Sequence, residues 1–120
     1  MGITILTSWT QESFVADLLI DQSIDQRVKH LADIASSSGL DGCVCSPREV
    51  LSLREIYPET FELVTPGIRS IGSDSNDQSR ISDASEALKM GASKLVIGRA
   101  ITQSKDPAYM FKSFCDKVFI

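Results

Sequence analysis

Gly42-Cys43-Val44-Cys45-Ser46-Pro47-Arg48-Glu49-Val50 writes one structural unit in a single line. A short apolar run ends at Ser46, a residue type that caps helices. Pro47 follows at the first helical turn, and Glu49 sits near the positive end of the helix dipole. A buried strand therefore passes straight into a helix, with Val50, Leu51 and Leu53 as its inward face. Pro58 lies beyond the end of that helix.

The same unit recurs on both sides. Ile3-Thr4-Ile5-Leu6-Thr7, Phe61-Glu62-Leu63-Val64-Thr65 and Lys94-Leu95-Val96-Ile97-Gly98 also read as short buried strands. Residues 24–37 place Ile24, Val28, Leu31 and Ala35 on one helical stripe, and Gly39 ends the run. Ser82 or Asp83 can cap a third helix that turns Ala84, Ala87 and Leu88 inward and stops at Gly91. A last helix begins at Asp106-Pro107 and carries Met110, Phe111, Phe114 and Val118. Strands alternating with helices imply a parallel sheet. The expected fold is α/β: four parallel βα units, half of a (β/α)8 TIM barrel, in a single domain spanning 1–120. Between the third strand and third helix lies a polar stretch, Ser70 to Ser82, without periodicity. A loop of that length in a compact domain is usually functional or mobile.

Composition narrows the partners. The net charge is -4, which disfavours nucleic acid or an anionic membrane as a partner. No apolar run approaches the roughly 18 residues of a membrane span. The first residues show neither a basic leader nor a long apolar stretch, so a signal peptide is not expected. Three cysteines, Cys43, Cys45 and Cys115, without a secretion signal suggest reduced thiols in a cytoplasmic protein. Cys43 and Cys45 share one strand face, but a metal site would need further ligands at suitable spacing, and none is found. Buried thiols and no metal are the expectation. His30, the only histidine, reads as a helix-edge residue.

Two strand ends carry the chemistry. Val64-Thr65-Pro66-Gly67-Ile68-Arg69, followed by Asn76-Asp77-Gln78, combines a glycine that lets backbone approach a ligand with a nearby guanidinium. Val96-Ile97-Gly98-Arg99 ends a strand in a backbone amide and a second guanidinium. Each alone also reads as a turn with a solvated arginine. Together, on the last two strands, they match a recurrent use of (β/α)8 barrels, phosphate binding.

These segments, with Leu6-Thr7-Ser8, Gly39 to Ser46, Asp77-Gln78-Ser79-Arg80 and Val96 to Thr102 with Asp106-Pro107, resemble bacterial orotidine 5'-phosphate decarboxylases. The resemblance runs from the family's fifth barrel strand to its end and covers essentially the whole chain. It implies that Arg69, Gln78, Gly98 and Arg99 hold a nucleotide phosphate, with Gln78 on a loop that closes over substrate. Thr7 would lie beside the pyrimidine ring, and Ser8 and Pro66 would line the same pocket. Remote phosphate binding of this kind stabilises loop closure and lowers a barrier elsewhere. A phosphate-binding barrel of the ribulose-phosphate epimerase type shares the late strand-end glycine but not the Thr65 to Arg69 and Asp77-Gln78 pairing.

The family's chemistry resembles cofactor-free decarboxylation with a lysine proton donor in an alternating Lys-Asp-Lys-Asp array. No Asp-x-Lys-x-x-Asp pattern occurs in this chain. The resemblance therefore implies a truncated homologue with no catalytic residue of its own, no cofactor, and no turnover alone. Its expected ligand is orotidine or uridine 5'-phosphate, or phosphate. Half a barrel exposes two strand edges and apolar interior surface. A homodimer or higher oligomer is expected, with trans complementation by a first-half polypeptide, or a vestigial non-enzymatic oligomer, as alternatives.

Overall fold

A computed structural model describes residues 1–69 and 83–119. The elements, in order, are β1 (Gly2–Ile3), α1 (Gln11–Leu18), α2 (Ile24–Ser37), β2 (Gly42–Val44) and α3 (Pro47–Arg54). They continue with β3 (Glu62–Thr65), α4 (Ala84–Lys89), β4 (Lys94–Leu95), α5 (Arg99–Thr102) and α6 (Pro107–Val118). The sheet is four-stranded, in the order β1-β2-β3-β4, and every pairing is parallel. This is the expected half-barrel arrangement. Residues 70–82, with Gln78 and the predicted loop, lie outside the described residues.

Caps fix the helices. Ser23 and Gln26 exchange side-chain and backbone bonds at the start of α2. The Glu49 carboxylate reaches back 2.7 Å to accept from the Ser46 backbone N–H at the start of α3. Asp83 caps α4 by accepting from Ser85 N–H, and Asp106 caps α6 by accepting from Tyr109 N–H. The sequence reading missed α1, which a Thr10–Ser13 capping box starts, and the short α5.

The core lies between the sheet and the helices. Cys43 and Leu63, paired across β2 and β3, are fully buried with Val28, Ala32, Val50, Leu53 and Ala87. A Cβ placed on Gly2, in the same row, would meet the Ala35 Cβ at 2.9 Å, so this row faces α2. The alternate row is Ile3, Val44, Val64 and Lys94. It turns to the other side, where Ile3 is 64% exposed and Val44 and Val64 are half-buried. Lys94 Nζ and the Glu62 carboxylate pair at 2.7 Å on this face.

Two predicted inward residues point outward instead. Leu51 is exposed because α3 buries only Val50 and Leu53 on one side, and Phe111 is exposed while Phe114 takes the core position of α6. The regular strands are shorter than the five-residue apolar runs, above all at the borders, where pairing comes from one side only. Single bonds extend the ladder: Thr4 N–H to Val44 O, Cys45 N–H to Val64 O, and Val96 N–H to Thr65 O. Among the described residues, no helix is long and apolar enough to cross a membrane.

Candidate functional site

β3 and β4 lie side by side, so the loops leaving them meet at the same end of the sheet. After Thr65 the chain turns at Pro66 and at Gly67, whose φ of +79° favours glycine. Ile68 is buried and locks the turn, and Arg69 follows with only 6% of its surface exposed. Among the described residues, Arg69 Nε and Nη2 have no hydrogen-bond partner. A buried guanidinium without partners is costly, and a structure usually keeps one only for a purpose.

The space in front of it is a cavity of about 210 Å³ lined by Pro66, Gly67, Ile68 and Arg69 from one strand end and Val96, Gly98 and Arg99 from the other. The two strand-end segments singled out in the sequence thus converge. A Cβ built on Gly98 would meet nothing within 4 Å, so packing does not demand a glycine there. The glycine leaves open space on the cavity side of the backbone. Two arginine side chains and bare backbone around a small cavity suit an anion, and the geometry of guanidinium matches phosphate oxygens. The volume is below the about 300 Å³ typical of sites that enclose whole small molecules. It suits an anionic group rather than an entire nucleotide.

Other expected site residues stand apart. Thr7 is buried at the end of the first strand segment and Ser8 beside it is exposed, and neither lines this cavity. Trp9 instead lines a separate hollow of about 370 Å³ with Thr10, Arg48 and Glu49. An apolar groove of about 710 Å³ runs beside β4, between Leu95, Ile97, Ile101, Phe114 and Phe119. Cys43 and Cys45 are buried. The neighbouring Cys43 sulfur, and then burial, push the Cys45 thiol up, so it stays protonated. His30 is exposed.

Sequence reasoning missed Arg54, which ties the frame beneath the site. Its guanidinium donates to the carbonyls of Gly91, Pro58 and Phe61 and to Ser93 Oγ. Ser93 Oγ in turn accepts from Leu63 N–H on β3. An arginine at the last turn of a short helix was the only signal available, and it is also what an ordinary solvated helix end looks like.

Comparison with known proteins agrees with this geometry. Residues 1–114 match the model of the orotidine 5'-phosphate decarboxylase / HUMPS family. The chain is 82% identical over 120 residues to an orotidine 5'-phosphate decarboxylase of Prochlorococcus marinus strain NATL1A, covering all of this chain and 50% of that protein. It is 51% identical over 115 residues to the same enzyme of strain MIT 9211, covering 96% of this chain and 48% of that protein. Among solved structures, orotidine 5'-phosphate decarboxylase from Lactobacillus acidophilus superposes with a TM-score of 0.79 at 30% identity, covering 98% of this chain and 48% of that one. The chain spans about half the length of the relatives it matches.

Proposed function

The chain belongs to the orotidine 5'-phosphate decarboxylase / HUMPS family, and from that premise we propose that it carries the phosphate-gripping part of a nucleotide monophosphate site. Arg69 and Arg99 would hold the phosphate oxygens, with the backbone at Gly98 closing on them and Gln78 reaching in from its loop. Pro66, Thr7 and Ser8 would lie toward the sugar and base. The observation that carries this reading is the buried Arg69 guanidinium facing a cavity that the Gly98-Arg99 strand end also lines. Binding energy gathered at a phosphate can be used at a distant reacting carbon, which is why such a grip belongs to a decarboxylase.

The 120 residues contain no Asp-x-Lys-x-x-Asp array, so this chain alone has no ammonium to protonate a carbanion. It should bind orotidine or uridine 5'-phosphate without turning it over, in the cytoplasm and as an oligomer. The half-length match to the relatives favours a second reading, a decarboxylase completed in trans by a first-half polypeptide.

Titration calorimetry with uridine 5'-phosphate tests the first reading. Binding should weaken with added salt and fall about ten- to a hundredfold in Arg69→Ala and Arg99→Ala, as expected for losing a charge-assisted bond. Absence of heat, or affinity indifferent to both substitutions, would leave a vestigial scaffold. Decarboxylation of orotidine 5'-phosphate on adding a first-half polypeptide, and not before, would support the second; turnover by this chain alone would overturn its inactivity.

A further inference from the structure

We propose that two copies of this chain close on each other into one eight-stranded barrel, the β4 border of each meeting the β1 border of the other. The reading rests on the family fold but not on the phosphate site. Four observations carry it. First, β1 and β4 are the outer strands of the described sheet and run parallel, so β4 of one copy can continue into β1 of the next with unchanged polarity. Second, helices cover only one face of the sheet. The other face presents Ile3, 64% exposed, and Val96, 51% exposed, with half-buried Val44 and Val64 between them.

Third, both borders carry apolar surface beyond the sheet. The groove of Leu95, Ile97, Phe111 and Phe119 flanks β4. Ile34 and Leu40, both more than 40% exposed, lie on the helix and loop that lead into β2 next to β1. Fourth, the area fits. The chain exposes 7164 Å², whereas a compact monomer of 13.1 kDa exposes about 6,400 Å². The excess, roughly 800 Å², is what each partner buries in a standard interface.

A second copy suits this surface better than an unrelated partner because the chain supplies half the length of its barrel-forming relatives. The contact is heterologous, and a two-fold rotation closes it after two copies instead of propagating a filament. The joint has a consequence for the candidate site. Within one copy, the turn after β1 and the turn after β4 are separated by three strand spacings, about 14 Å. Across the joint they become neighbours, so Ser8 of the second copy flanks Gly98 and Arg99 of the first. Each dimer then carries two anion cavities at one end of the barrel.

Sedimentation equilibrium of the 120-residue chain at micromolar concentration should give twice 13.1 kDa, and Val96→Lys should give monomer. A compact monomer, or a ladder of larger species, overturns the proposal. The joint itself is tested in a Cys115→Ser background. Ile3→Cys with Val96→Cys should oxidise to a disulfide-linked dimer, while Ile3→Cys alone and Val96→Cys alone should not, because the contact is not between like positions. Efficient linkage of either single variant would mean a different, isologous interface. Uridine 5'-phosphate titrated into the same samples separates the two readings. A dimer that binds nothing sinks the phosphate site alone, and a binding monomer sinks the closed barrel alone.

Discussion

β2 and β3 meet with Cys43 and Leu63 fully buried and with a glycine, Gly42, pressed against the Glu62 peptide. β1 and β4 are two residues each, and their surroundings include Ile3, Leu6 and Val96, all more than half exposed. All four strands come from the same sequence grammar, an apolar run followed by a helix. The centre is satisfied from both sides by strands of its own chain, whereas the borders have a neighbour on one side. Apolar patterning thus specifies a strand, but its length and burial depend on what stands next to it.

The largest effect expected from this contrast is at Gly42. A Cβ there would stand 2.7 Å from the Glu62 carbonyl carbon and 2.8 Å from its Cα, contacts no side chain rearrangement can relieve. Gly42→Val should cost more than about 4 kcal/mol and leave the chain unfolded by circular dichroism. A native spectrum with a cooperative melt would break the picture of a rigid centre.

Next come two leucines that the sequence treats alike. Leu63→Ala empties a fully buried position and should lower stability by about 3 kcal/mol in urea unfolding. Leu51→Ala, at a residue 56% exposed, should change it by less than about 0.5 kcal/mol if the chain is monomeric in the assay. Equal costs would mean that α3 packs differently from the arrangement described.

These leucines also mark how far the sequence could be read. Leu51 and Leu53 sit two apart on an eight-residue helix, too short for periodicity alone to separate the inner from the outer. α2 was legible to its boundaries because it has fourteen residues, a cap at Ser23 and a sustained stripe. α1 was not, because its apolar residues form no clear stripe and its Thr10–Ser13 box lacks the usual Glu or Gln. At the candidate site the residue types were visible in the sequence, and so was the order of the two strand ends. The burial of Arg69 was not, since a guanidinium after a turn is usually solvated. It is Ile68, packed into the core, that draws its neighbour inward.

Arg69 therefore contrasts with the leucines in the opposite sense. Its buried nitrogens without partners among the described residues are a cost the fold bears. Arg69→Met keeps much of the side-chain volume and removes the charge. Stability should stay level or rise by about 1 kcal/mol, while affinity for uridine 5'-phosphate falls. A marked loss of stability together with unchanged affinity would make Arg69 a structural residue and remove the site's main support.

The smallest effect on stability is expected at Gly98, and it returns the comparison to its two glycines. Gly42 is a glycine because the neighbouring strand leaves no room; Gly98 has open space where its Cβ would be. If packing were the only demand on this sheet, Gly98→Ala would be without consequence, and stability should indeed move by less than about 1 kcal/mol. The added methyl would nevertheless stand at the rim of the cavity shared with Arg69 and Arg99. Phosphate and uridine 5'-phosphate affinity should drop several-fold in calorimetry while the unfolding midpoint stays put. A variant that binds as well as the original chain would show that this glycine reserves space for nothing, and the border strand end would lose its claim on the ligand.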